Sequence, residues 1–138
     1  MDKKKDISDK LRSTGLRPTK QRVRLAEYLF NRSKTFHFSV ENLDKVINKK
    51  GSEEKVALAT IYNTVNAFKK AGHLKEILLK EGRSYFDTNT NAHHHFYDSD
   101  TNELIDIRFN EIEVTKLPHP PKGKRIKDLE VVIGLKKI

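Results

Sequence analysis

The sequence predicts an α+β protein: an N-terminal winged helix-turn-helix domain over residues 1–87, then a small α/β dimerisation domain over residues 88–138. Helical periodicity recurs three times and is followed at once by a strand–turn–strand pattern, which is the element order of a winged helix. The net charge of +9 lies wholly in the first part, where 20 Lys/Arg stand against 11 Asp/Glu, while residues 88–138 hold 8 of each sign. The balanced remainder is strand-rich and too short to bury enough apolar surface alone, so a second copy is expected to cover it.

Taken in order, residues 1–17 read as a short polar lead. In 18-PTKQRVRLAEYLFNR-32, Pro18 suits a first helical turn, and Val23, Ala26, Leu29 and Phe30 recur at helical spacing. Ser39 can cap a helix carrying Val40, Leu43, Val46 and Ile47, which ends near Gly51. The third helix is 58-LATIYNTVNAFKKAGHL-74, with Ile61, Val65 and Phe68 as its buried stripe, Thr60 as its cap and Gly72 as its stop. Segments 74–80 and 83–87 form a hairpin through Glu81-Gly82. Beyond it, 94-HHFYDSD-100 and 103-ELIDIRF-109 read as strands around a Thr-Asn turn, 110–117 as a short helix, and 129-LEVVIGL-135 as a final strand.

Composition narrows the function. Of 138 residues 36% are hydrophobic and 34% charged, enough for modest cores but not for a large enzyme interior. No run approaches the roughly 18 apolar residues of a membrane span, and the start lacks the apolar stretch of a secretory signal. A soluble, cytoplasmic protein is expected. Cysteine is absent, which excludes disulfides and thiolate metal sites.

A basic excess confined to one part is the footprint of a polyanion partner, here double-stranded DNA. Arg12, Arg17, Lys20 and Arg22 cluster before and inside the first predicted helix. On the third, Tyr62, Asn63, Asn66 and Lys69 avoid the apolar stripe, and Thr60 is expected among the DNA contacts. Asn can pair bidentately with adenine, and a Tyr ring can pack on a thymine methyl. A metal-independent nucleic-acid-binding module would carry the same face.

Three of the six histidines stand together in 91-NAHHHFYDSD-100. Strand alternation puts His93 and His95 on one face and His94 on the other. Two imidazoles from one strand form a ready chelate, but a haem contact and a solvated strand fit the same run.

The pieces 15-GLRPTKQR-22, His37-Phe38-Ser39, 59-ATIYNTVNAFKKAG-72 and the histidine run followed by 104-LIDI-107 resemble the ferric uptake regulator superfamily of bacterial metal-dependent transcription factors. FDTNT, HHHFY and LEVVIGL look most like its iron response regulator branch. The resemblance implies a repressor of iron and haem genes, a homodimer on a two-fold operator, and no enzymatic activity. It implies a site for Fe2+, Mn2+ or Zn2+ built from His37, Asp87, His93, His95 and Asp106. An N/O set of this kind does not select among those ions. Haem is a second implied cofactor, through His93, His94 and His95. Both carboxylates are Asp, as in the peroxide-sensing branch, so a peroxide-sensing repressor is the alternative. The CxxC pairs of many members are missing, and Ala92, Glu113 and Asp128 fall where a second histidine-rich site would lie. His37 and Asp87 come from the first domain and the other three from the second. A cation is therefore expected to staple the two across a hinge at 88-TNTNA-92 and set the spacing of paired recognition helices.

Overall fold

The computed structural model describes residues 3–51 and 54–138, and the chain divides into two compact units, Met1–Thr90 and Asn91–Ile138. The first unit opens with a helix, α1 (Lys3–Ser13), where the polar lead was expected. Ile7 and Leu11, one turn apart, are both buried. Two apolar residues are too sparse to read as a stripe, and packing against the following helix stabilises what propensity alone does not.

Helix α2 (Lys20–Phe30) is capped by Thr19, whose side chain accepts from the Arg22 N–H, so Pro18 lies before the cap rather than in the first turn. Leu25, Ala26 and Leu29 are its buried residues. Helix α3 (Val40–Ile47) starts at the expected cap, with the Ser39 hydroxyl accepting from the Asn42 N–H, while Val46 is turned outward. Helix α4 (Leu58–Lys70) buries Ile61, Val65 and Phe68, together with Thr64. Its cap position is Ala57, which makes no side-chain bond. Thr60 is therefore not the cap; it lies in the first turn, because the helical backbone begins before it. At the other end Gly72 adopts φ 88°, its N–H donates to the Lys69 carbonyl, and the His73 N–H donates to that of Phe68. That left-handed position closes the helix as a Schellman motif, at no Cβ cost to glycine.

The sheet of the first unit is three-stranded and antiparallel in the order β1-β3-β2, from β1 (His37–Phe38), β2 (Lys75–Leu78) and β3 (Ser84–Asp87). The hairpin turns through a short 3-10 segment at Lys80–Gly82. Strand β1 is an addition to the predicted elements; two residues carry no readable alternation. It sets His37 opposite Asp87 and Phe38 opposite Phe86. The Phe38 and Phe86 rings stack 5.7 Å apart, and Phe36 lies 5.6 Å from Phe38.

The second unit is a sheet in the order β5-β4-β6, from β4 (His94–Asp98), β5 (Glu103–Ile107) and β6 (Val132–Leu135). Strands β4 and β5 are antiparallel, and Asn102 in their turn takes φ 58°, a conformation Asn tolerates. Strand β6 runs parallel to β4, which requires a long crossover. Residues 112–131 supply it without regular structure. The helix expected at 110–117 does not form; only a 3-10 turn at Phe109–Glu111 does. Ile112, Val114 and Thr115 are β-branched, and Pro118 follows, so the stretch has weak helical preference.

Candidate metal centre and nucleic-acid interface

Within the first unit, the register of β1 and β3 brings His37 Nε2 to 3.1 Å from Asp87 Oδ2. Asp87 is fully buried, and its Oδ1 accepts from the Asn89 N–H at 2.8 Å. A carboxyl oxygen is thus held beside an imidazole at the end of β3.

Within the second unit, His93 Nε2 and His95 Nε2 lie 3.3 and 3.2 Å from one atom, Asp106 Oδ1. The pairing of β4 with β5 sets this directly, since His95 stands opposite Asp106. The outer ring nitrogens are engaged elsewhere: His93 Nδ1 lies 2.7 Å from the Asn91 carbonyl, and His95 Nδ1 lies 2.9 Å from Glu130 Oε1. Both rings are buried, whereas Asp106 is accessible. Two imidazole nitrogens and a carboxylate oxygen, converging without sulfur, are a donor set that fits a divalent first-row cation.

His94 turns the other way, as alternation requires. Its ring stacks on Phe109 with centroids 5.3 Å apart, and its Nδ1 accepts the Val131 N–H at 2.9 Å. As a haem ligand it would have to leave this seat. Ala92, Glu113 and Asp128 are all exposed.

The basic face of the first unit is built around a recess of about 330 Å³ between the start of α2 and the exposed side of α4, lined by Arg17, Thr19, Gln21, Arg22, Thr60, Asn63 and Thr64. Four of the residues predicted for DNA contact therefore share one concavity. Arg22 Nη1 donates to the Arg17 carbonyl at 3.1 Å, which tethers one guanidinium at the rim. Two guanidinium groups beside a helix N-terminus form a setting for phosphate oxygens. The other four lie outside the recess. Arg12 pairs with Asp9 on α1, Lys20 pairs with Glu54, and Asn66 is exposed on α4. Tyr62 donates its hydroxyl to Glu41 at 2.7 Å, a bond that holds its phenol above the usual pKa, with desolvation and the Glu41 charge adding to the effect. Thr19, Gln21, Thr64, Glu41 and Glu130 were not singled out in the sequence. Glu41 and Glu130 meet their partners 21 and 35 residues away, which no local pattern marks, whereas Thr19 caps α2 through Arg22 and a local capping signal could have found it.

A family model described as the ferric uptake regulator family matches residues 13–133, most of the chain. The chain belongs to the ferric uptake regulator family. This family member is 34% identical over 107 residues to a ferric uptake regulation protein of Pseudomonas fluorescens, a match covering 77% of this chain and 85% of that one. It is 31% identical over 106 residues to a peroxide-responsive repressor of Staphylococcus aureus, covering 75% and 69%. Among solved structures, the ferric uptake regulator of Pseudomonas aeruginosa with manganese superposes with a TM-score of 0.68 at 28% identity, over 95% of this chain and 97% of that one. Ferric uptake regulator proteins are transcriptional regulators rather than enzymes. Among the described residues of this one, no helix is long and apolar enough to cross a membrane.

Proposed function

We propose that this protein is a metal-responsive, DNA-binding transcriptional regulator, acting mainly as a repressor and as a homodimer on a two-fold operator. The observation that carries the reading is the convergence of His93 Nε2 and His95 Nε2 on Asp106 Oδ1. His37 and Asp87 complete the proposed ligand set from the other unit. With all five engaged on one Fe2+, Mn2+ or Zn2+, the hinge at 88–92 is held at one angle and the two reading heads at one spacing. Arg17, Arg22, Thr60 and Asn63 then grip the phosphate backbone and base edges, with Arg12, Lys20, Tyr62 and Asn66 flanking them. Dimerisation is supported by the second unit, which leaves Ile105, Leu117, Val132 and Ile133 substantially exposed.

The finer reading is control of iron and haem genes in the cytoplasm, with haem as a second ligand of His93, His94 and His95. It rests on the FDTNT, HHHFY and LEVVIGL motifs. A peroxide response is the second reading, favoured by aspartates at both carboxylate positions, 87 and 106. Loss of operator binding after peroxide treatment of Fe2+-loaded but not Mn2+-loaded protein separates the two.

A mobility-shift titration with and without chelator, on wild type and His93→Ala, tests the core proposal. Wild-type affinity is expected to fall on chelation, and His93→Ala is expected to bind weakly with or without the ion while keeping its circular dichroism. Equal affinity in all four conditions would falsify the metal-responsive reading and leave a metal-independent binding module. With about six phosphate contacts, the log–log salt slope is expected near −5, from about −0.9 per phosphate.

A further inference from the structure

Glu130 is not among the proposed ligands, yet it touches one of them from behind. It sits just before β6, 35 residues from His95 in sequence, with its Oε1 2.9 Å from His95 Nδ1 and a largely buried side chain. Two further bonds tie the same short stretch to the histidine run. The Val131 N–H donates to His94 Nδ1 at 2.9 Å, and the His95 N–H donates to the Val131 carbonyl at 3.1 Å.

A neutral imidazole has one N–H and one lone pair, and the partner of one nitrogen decides which it carries. A carboxylate can only accept, so opposite Glu130 the hydrogen of His95 belongs on Nδ1. Its Nε2, which faces Asp106 Oδ1 at 3.2 Å, is the nitrogen left to give its lone pair to a cation. The Asn91 carbonyl does the same for His93 from the backbone, at 2.7 Å. The two rings therefore differ in kind: His93 is oriented by its own loop, and His95 by a side chain from a distant segment.

We infer that Glu130 is a positioning residue for cation binding, holding His95 as the Nδ1–H tautomer and coupling the histidine site to the seating of strand β6. The inference rests on the metal-binding reading above. Because linkage is reciprocal, a cation bound through His95 Nε2 favours the docked strand, and the docked strand favours the cation.

The test uses the full-length protein as wild type, Glu130→Ala and Glu130→Gln. In the first arm, nitrogen NMR of metal-free protein reads the His95 tautomer. Wild type is expected with hydrogen on Nδ1, Glu130→Ala with that hydrogen partly lost to Nε2, where Asp106 Oδ1 accepts, and Glu130→Gln again with hydrogen on Nδ1, because its amide oxygen still accepts. In the second arm, cobalt(II) is titrated by its visible absorption. Glu130→Ala is expected to bind about 10–100-fold more weakly than wild type, as removal of an outer-shell partner does, with Glu130→Gln recovering most of the loss. Amide exchange at His95 and along β6 is expected to slow on cobalt addition in wild type and much less in Glu130→Ala. An unchanged tautomer in Glu130→Ala, or a Glu130→Gln variant no better than alanine in both arms, overturns the inference. The expected tautomers in a wild type that binds no cobalt overturn instead the metal-binding reading, and with it the coupling.

Discussion

In the first unit Leu11, Leu25, Ile61 and Phe68 all reach 0% exposure, whereas in the second the side chains of comparable burial are His94 at 1% and His95 at 0%. The first unit is held by apolar burial and by aromatic contacts such as Phe30 with Phe68, 5.5 Å apart. Burial there needs no partner of fixed geometry, since the hydrophobic effect is non-directional. The second is centred on imidazoles that must each find a hydrogen-bond partner, and Leu104 and Ile107 are the apolar side chains buried with them. Polar burial stabilises only when every group is satisfied. One unit thus rests on apolar packing and the other on satisfied polar burial.

The largest effect expected from this contrast is in the apolar core. Phe68→Ala should cost about 3–5 kcal/mol, read as a lower urea midpoint of the helical signal. A loss well under that would mean that the first unit relies on something other than its core. Next is cation supply: at 100 times its Kd, an ion that binds only the folded protein adds about 2.7 kcal/mol. Amide exchange should slow more along β4–β6 than in α4, and a gain confined to α4 would break the contrast.

A smaller change is expected of His94→Ala. The Val131 N–H, which donates to His94 Nδ1, loses its acceptor, at a cost of about 1–3 kcal/mol. Thermal unfolding of the metal-free protein reads it, and a stability equal to wild type would show that His94 is not a structural ring.

The smallest effect sharpens the picture of the first unit, which also contains one packed histidine. His73 Nε2 lies 2.7 Å from Thr14 Oγ1, and the ring packs against Phe30 and Phe68. Its pKa is lowered from 6.5, first by desolvation and then by the Lys10 charge. The unfolded chain therefore takes the proton first as pH falls. Stability from this group is full above about 6.5 and declines as pH drops toward the lower folded value. His73→Phe should flatten that part of the stability–pH curve in urea titrations between pH 7.5 and 5.5, relative to wild type.

Much of the helical architecture was legible because its signals are local. Ser39 as a cap, Gly72 as a stop and the Ile61–Val65–Phe68 stripe involve residues within a turn or two of one another. The helix α1 was not legible, since only Ile7 and Leu11 mark it, and neither was β1, whose two residues take their meaning from β3. The shared face of His93 and His95 was readable because strand side chains alternate, and with it the turning away of His94.

By itself the sequence determined the order of α2–α4 and β2–β6, the placing of the basic excess in residues 1–87 and the shared face of His93 and His95. These follow from periodicity and charge along the chain, which no folding step can change. Tertiary structure alone decided that Arg17 and Arg22 share a recess with Thr60 and Asn63, and that Glu130 meets His95 across 35 residues. Such meetings depend on how separate elements pack, and a side chain's partners through space leave no periodic trace in the residues beside it.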